Sequence, residues 1–182
     1  MKRVVLTLGA VILPQIAMAH PGHGAGFLAG FDHPLTGIDH LLAMLAVGLW
    51  AAALGGRARW ALPATFVAGL IAGGVAGHLA GLALPGVEQA ILGSVIVLGA
   101  VTALALRVPM GVALVAAAGF GLVHGLAHGA ASPANFAPFA AGFVLASVSL
   151  HGAGLVLGRL PTLARGLGAA TAMAGLALTV AG

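Results

Sequence analysis

The sequence predicts an all-α integral membrane protein: a cleavable signal peptide followed by a bundle of six transmembrane helices, with the mature N-terminus outside. The first observation is composition, because 61% of the residues are hydrophobic and 5% are charged, whereas about a quarter are charged in soluble domains. The second is that the apolar runs are continuous and helix-length, unlike the alternating segments of a membrane β-barrel. The third is the 30 glycines, which favour close helix packing in a bilayer.

Residues 1–19 have the three parts of a secretory signal peptide. Lys2 and Arg3 begin it, an apolar core follows, and the small-residue sequence "AMA" at 17–19 supplies a cleavage site. Cleavage would leave residues 20–182 as a single transmembrane domain. The alternative is that this segment stays in place as an uncleaved first transmembrane helix.

Six apolar segments follow, each close to the roughly 20 residues that span a bilayer. Their predicted bounds are about 37–56, 62–84, 87–106, 109–130, 135–157 and 161–181. Short turns that contain Pro, Gly or Arg separate them. No linker is long enough to mark a second domain.

The arginines predict the orientation. All of those after residue 19 lie in or beside alternate connections between the segments: Arg57, Arg59, Arg107, Arg159 and Arg165. The positive-inside rule makes that side cytoplasmic, and the signal peptide independently places the mature N-terminus on the other side. We therefore expect a multi-pass protein of the bacterial inner membrane with its N-terminus in the periplasm and its C-terminus also outside.

Several function classes are disfavoured. The chain has no cysteine, which excludes disulfides and thiolate metal sites. Its isoelectric point of about 11.7 rests on seven Lys and Arg against three acids, which fits membrane topology rather than a nucleic-acid partner. No nucleotide-binding loop, serine-nucleophile motif or H-E-x-x-H sequence is present. The sequence therefore predicts neither an enzyme nor an ATP-driven pump.

The eight histidines are the main chemical signal. Ionisable groups at membrane depth are costly and usually face a bundle interior or a wet cavity, and histidine is the commonest metal ligand. On the predicted topology one histidine, His151, lies in the inner half of the membrane. The others belong to the external side: His20, His23, His33, His40, His78, His124 and His128.

His124 and His128 are four residues apart and project from one helix face, the spacing that lets two helical histidines share a metal ion. The alternative is a pair of interhelical hydrogen bonds. Glycines recur at the same spacing in segments two and four, which favours close backbone approach. These stripes are Gly69, Gly73, Gly77 and Gly81, and Gly121, Gly125 and Gly129.

The stretch "HPLTGIDHLLAM" (33–44) opens the first segment. His40 and Met44 share a helix face. Asp39 either ligates a metal directly or orients an imidazole by accepting its free N–H. The Met44 thioether is a soft ligand, although core packing is its alternative role. Such a mixed set favours a first-row divalent cation over Mg²⁺ or Ca²⁺, without separating Ni²⁺ from Co²⁺, Zn²⁺ or Cu²⁺.

Two other features complete the predicted site. Pro34 and Gly37 are expected to break any helix before the first segment and to turn His33 back toward its ligand face. The stretch "HPGHG" at 20–24 is a predicted capture site, because a terminal histidine chelates through its α-amine and imidazole and His23 adds a third nitrogen. The alternative for that stretch is a mobile polar tail.

These motifs resemble those of the HupE/UreJ family of nickel and cobalt permeases. "HPLTGIDHLLAM" is similar to the family signature H-P-x-x-G-x-D-H-x-x-x-M, matched at His33, Pro34, Gly37, Asp39, His40 and Met44. The stretches "FGLVHGLAHG", "FAAGFVLASVSLHGAG" and the signal peptide followed by "HPGHG" also resemble the family. The resemblance implies six helices after signal removal and a role in supplying nickel for hydrogenase or urease maturation.

One position departs from the family pattern. Members often continue the segment-four motif as H-G-x-A-H-G-x-E, whereas Ala131 stands here in place of the glutamate. The change removes one carboxylate from the expected site, and Glu88 is the acid that could compensate in space.

The predicted function is a secondary, non-ATP permease for Ni²⁺ or Co²⁺, with no permanently bound cofactor. The expected partners are a transition-metal ion (Zn²⁺ included), the lipid bilayer and nickel-enzyme maturation machinery. A membrane metal-binding or delivery protein without transport, a haem-binding protein and a neutral-solute channel are the alternatives. A scaffold in which histidines serve only as interhelical hydrogen-bond partners is a further one.

Overall fold

The computed structural model describes residues 26–81, 85–130 and 135–181, and within these ranges it contains seven α-helices and no strand. The helices are α1 Phe27–Thr36, α2 Ile38–Leu54, α3 Ala58–Ala80, α4 Val87–Ala103, α5 Met110–Ala130, α6 Phe136–Leu157 and α7 Pro161–Ala181. The predicted all-α class is confirmed. The predicted signal peptide, His20 and His23 lie outside the described residues.

Within the described ranges four helices are long and apolar enough to cross a membrane: α3, α5, α6 and α7. The pair α1 and α2 bends by 81° and adds a fifth if it is one broken span. Helix α4 is apolar but has 17 residues, which is about 25 Å at 1.5 Å per residue. The count of six spans therefore stays a prediction. Large apolar side chains face outward along the helices, such as Val115, Leu79 and Val180, as a lipid-facing surface requires.

Helix α4 ends three residues before the predicted end of its segment. Ala105 has φ +49°, and the Leu106 N–H donates to the Val101 carbonyl at 3.0 Å. This arrangement closes a helix with a left-handed residue, a position that glycine usually takes. The Arg165 side chain donates to the Ala103 carbonyl at 3.0 Å and so satisfies one of the last carbonyl groups of α4.

The expectation that Pro34 breaks any helix before the first segment is wrong. Helix α1 runs through Pro34 and ends two residues later, and Gly37 alone interrupts the chain between α1 and α2. The reason is packing against α6: a Cβ on Gly30 would collide with the Phe139 backbone, and α1 residue Phe27 lies as closely against Gly142. This tight contact stabilises α1 despite the proline.

The predicted glycine stripes of α3 and α5 pack against each other. A Cβ added to Gly125 would lie 2.7 Å from the Gly74 nitrogen, and one added to Gly77 would lie 2.7 Å from the Leu126 oxygen. Real Cβ atoms do not approach so closely, so only glycine permits this backbone contact. Gly81 differs from the rest of its stripe, since it ends α3 with φ +60° and a Cβ added there would meet no atom of the described residues within 4 Å.

The close contacts also give the relative helix directions. Gly69 lies against Ala118 and Gly77 against Leu126, so α3 and α5 run parallel. Helices α2 and α6 are likewise parallel, from Gly48 beside His151 to the end of α2 beside Gly158. Helices α4 and α7 are antiparallel, because Gly99 packs on Ala172 and the end of α4 packs on Gly168. Six segments of alternating direction require these same three relationships.

The end of the bundle that carries the arginines contains a cleft of about 790 Å³. Its lining includes Leu54, the last residue of α2, and Arg57 from the turn that follows. Val108, just before α5, and Met110, the first residue of α5, also line it. Helix α2 therefore runs from its first turn at His40 down to this cleft.

Candidate metal centre

Three histidines from three helices converge at the opposite end of α2 from the cleft. His33 lies on α1, His40 in the first turn of α2 and His128 in the last turn of α5. Each offers a ring nitrogen, and these atoms lie within 4.8 Å of one another. His40 is buried, whereas His33 and His128 are half-buried. We call these three residues the histidine triad.

Gly37 positions two of the three triad members. Its extended backbone (φ −78°, ψ 108°) separates α1 from α2 and allows the 81° bend that brings His33 toward the ring of His40, with centroids 5.7 Å apart. A Cβ on Gly37 would lie 3.2 Å from Asp39 Oδ1 and 3.3 Å from His40 Nδ1. A side chain at this position would therefore crowd the polar atoms of Asp39 and His40.

Asp39 orients His40. Asp39 Oδ1 lies 2.7 Å from His40 Nδ1, so the carboxylate accepts the ring N–H at that atom. The lone pair of the neutral ring then lies on Nε2, the atom that faces the triad. Of the two roles predicted for Asp39, this geometry matches the orienting one, as found for carboxylates behind metal-binding histidines.

The two most central nitrogens of the triad face each other. His128 Nε2 lies 2.5 Å from His40 Nε2. Two nitrogens that each bind one cation at about 2.1 Å are about 3.0–3.4 Å apart, so opening the pair by about 0.5–1 Å admits an ion. His33 stands edge-on to His128 with ring centroids 4.5 Å apart and supplies the third nitrogen.

His124 lies one turn below His128 and is fully buried. Its ring centroid is 4.9 Å from that of His40. His124 Nε2 lies 3.0 Å from Ser94 Oγ, and the Ser94 hydroxyl donates to the Ile91 carbonyl at 2.6 Å. Since the hydroxyl hydrogen is used, Ser94 Oγ accepts the N–H from His124 Nε2. The lone pair of His124 is therefore on Nδ1, which has no hydrogen-bond partner among the described residues.

Sequence reasoning missed Ser94. Its signal is a single hydroxyl in the apolar run "AILGSVIV". On the predicted topology this serine and His124 both lie in the outer half of the membrane. A serine there can also bond to its own helix, so the residue alone does not point to a site.

Other predicted ligands lie apart from the triad. Met44 is fully buried in the hydrophobic core one turn below His40. His78 stacks on Phe136 with centroids 4.5 Å apart and an interplanar angle of 10°. His151 is buried deeper, beside Phe66. Glu88 is exposed in the first turn of α4, and Ala131 lies outside the described residues.

The chemistry of this centre fits a borderline divalent cation. It combines three imidazole nitrogens with one nearby carboxylate, and imidazole ligands suit Ni, Cu, Zn and Fe better than Mg or Ca. Aromatic rings of α6 wall it, with Phe143 5.8 Å and Phe139 6.0 Å from the His33 ring centroid.

Comparison with known proteins gives a consistent result over almost the whole chain. The HupE / UreJ protein family matches residues 8–182. The chain is also 44% identical over 188 aligned residues to Protein HupE of Rhizobium leguminosarum bv. viciae, with 98% of each chain covered. No solved structure matches. The matched region contains every member of the histidine triad, and the chain belongs to the HupE/UreJ family.

Proposed function

We propose that this protein is a secondary permease that carries Ni²⁺, with Co²⁺ as the alternative cargo, across the bacterial inner membrane to supply metalloenzyme maturation. The observation that carries the proposal is the histidine triad, in which Asp39 fixes the ring of His40 so that its Nε2 faces the other triad nitrogens. The resemblance stated from the sequence associates this family with nickel and cobalt. No enzymatic step is part of the proposal.

The triad suits transient binding. Three imidazoles leave further coordination positions for water, and a transported ion needs ligands that replace hydration without trapping it. The triad lies at one end of α2 rather than at the centre of the bundle, as the entrance of a path would. A resident structural metal site, by contrast, is usually closed by four protein ligands.

Each predicted residue has a role in this scheme. His20 and His23 capture the ion outside. His33, His40 and His128 bind it at the entrance, Asp39 orients the site, and His124 receives the ion next. Met44 packs beneath His40, His78 supports the outer end of α3 and His151 lies further along the path. Membrane potential alone supplies about 4.6 kcal/mol per 100 mV for a divalent cation, from about 2.3 kcal/mol per charge.

The membrane arrangement follows from the same proposal. A cleaved signal peptide would leave six spans with the N-terminus in the periplasm, α4 being the short one. Support comes from the helix directions, since α2 and α6 are parallel, α3 and α5 are parallel, and α4 and α7 are antiparallel. The cleft beside Arg57 would then face the cytoplasm.

Metal uptake into cells tests the proposal. Wild type, His40→Ala and the control Ser149→Ala would be compared at matched membrane abundance for Ni²⁺, Co²⁺ and Zn²⁺. Ser149 is exposed, and its hydroxyl donates to the Leu145 carbonyl of its own helix. We expect saturable Ni²⁺ uptake in wild type and control, and none above the empty vector for His40→Ala. Metal bound by purified wild type without any uptake would contradict a permease and favour a delivery protein.

A further inference from the structure

We propose that Phe66 and His151 form the inner half of the permeation path: the Phe66 ring is a barrier, and His151 is the ligand that an ion reaches after passing it. This inference rests on the proposed permease function and adds the place at which the path is closed. It is carried by the surroundings of His151 and by the position of Phe66 between two histidines.

His151 is unusual because it is buried and, within the described part of the chain, has no hydrogen-bond partner. Its exposed fraction is 1%, and neither ring nitrogen has a partner among the described residues. Buried polar side chains in proteins are nearly always hydrogen-bonded. A histidine that only filled space would be replaced by an apolar residue without loss of stability. An unpaired imidazole lone pair is, in contrast, what a passing transition-metal ion needs.

His151 lies between the triad and the cleft beside Arg57. Its backbone packs against Gly48 of α2, which is eight residues after His40, or about 12 Å further along the helix. Leu54 at the cleft is six residues beyond Gly48, about another 9 Å. The depth of His151 is thus intermediate between the entrance and the opposite end.

Phe66 separates His151 from the outer histidines. Its side chain is fully buried. Its ring centroid is 5.6 Å from that of His124 and 5.2 Å from that of His151, with the His151 ring edge-on at 86°. Apolar constrictions close ion paths by excluding water. An ion that leaves His124 can reach His151 once the Phe66 ring moves aside.

The first test uses His151→Leu in proteoliposomes that contain a Ni²⁺-sensitive dye. We expect uptake to fall by about tenfold or more, because the ion loses its next ligand. Ni²⁺ binding by the purified protein at the triad should be unchanged, and the melting temperature in detergent should be equal or higher, because no hydrogen bond is lost. Uptake by His151→Leu at the wild-type rate would overturn the inference. Reduced uptake accompanied by a lower melting temperature and lost binding would also overturn it, since it would indicate a structural histidine.

The second test changes the barrier. Phe66→Ala should speed Ni²⁺ uptake by about threefold or more and admit Mg²⁺, because the apolar ring no longer excludes water. Phe66→Leu retains more side-chain volume and should show a smaller increase. Unchanged rates and selectivity in both folded variants would overturn the barrier role. Wild type that fails to transport would refute the proposed function itself, and this result is visible before any variant is compared.

Discussion

His128 Nε2 lies 2.5 Å from His40 Nε2, although the two residues are 88 positions apart in the chain. The first belongs to the "FGLVHGLAHG" stretch and the second to "HPLTGIDHLLAM". Each stretch contributes only part of the histidine triad. The contact between these rings brings the two motifs together at one place in the fold.

Asp39→Asn should weaken Ni²⁺ binding by about 10–100-fold, the usual effect of altering a group behind a metal ligand. The amide oxygen can still accept the N–H of His40, but the negative charge that favours the cation is lost. Isothermal titration of the purified protein measures the affinity. Asp32→Asn is the matched control, since Asp32 is exposed and outside the triad. Equal affinities for the two variants would show that Asp39 has no such role.

The variants His128→Ala and His78→Ala should differ clearly in Ni²⁺ binding. Both residues lie near the ends of long helices, yet only His128 has a ring nitrogen in the triad, whereas His78 stacks on Phe136. We expect His128→Ala to lose saturable Ni²⁺ binding and His78→Ala to retain it. Equilibrium dialysis with Ni²⁺ measures both. Loss of binding in His78→Ala, with the fold intact, would place that residue in the metal site after all.

Gly37→Ala should disturb the site without unfolding the bundle. The added Cβ would lie 3.2 Å from Asp39 Oδ1 and 3.3 Å from His40 Nδ1, so the carboxylate and the imidazole must shift. We expect weaker Ni²⁺ binding at an unchanged melting temperature. Gly93→Ala is the control, because a Cβ there has no neighbour within 4 Å. Full affinity in Gly37→Ala would mean that the pair tolerates the crowding.

Ser94→Ala should destabilise the protein by about 1–3 kcal/mol, since the buried N–H of His124 Nε2 would lose its acceptor. Thermal unfolding in detergent measures the change. Ser149→Ala should have almost no effect, because Ser149 is exposed and its hydroxyl donates within its own helix. A similar melting temperature for both variants would indicate that His124 finds another partner.

Gly125→Ala should force α3 and α5 apart and lower the melting temperature, because its Cβ would lie 2.7 Å from the Gly74 nitrogen. Gly119→Ala on the same helix meets no atom within 4 Å and should instead stabilise by about 1 kcal/mol through helix propensity. Melting temperatures of the two purified variants should therefore move in opposite directions. A stable Gly125→Ala variant would contradict the close packing of these helices.

Hydrophobicity predicted the helices well, because the bilayer requires long apolar runs whatever the tertiary contacts. The bounds of α7 agree with the predicted 161–181 segment. The predicted helix bounds are wrong where tertiary contacts or backbone conformation outweigh the hydrophobicity of the local sequence. Helix α1 tolerates Pro34 because it packs on α6, and α3 ends at Ala80 because Gly81 takes a left-handed conformation.

The site was predictable in part. Adjacent residues and helical spacing brought Asp39 to His40 and placed His124 and His128 on one helix. The remaining relationships depend on how helices pack side by side, which spacing within one segment does not determine. The Ser94–His124 hydrogen bond and the stacking of His78 on Phe136 are of this kind.

The origin of the triad from α1, α2 and α5 has a consequence for biosynthesis. A ribosome finishes His33 and His40 early but must add nearly ninety further residues before His128 exists. A nascent chain that has inserted only its first helices therefore lacks one member of the histidine triad, and a product truncated after α4 would never acquire it. The complete triad therefore forms late in translation, once α5 has been made.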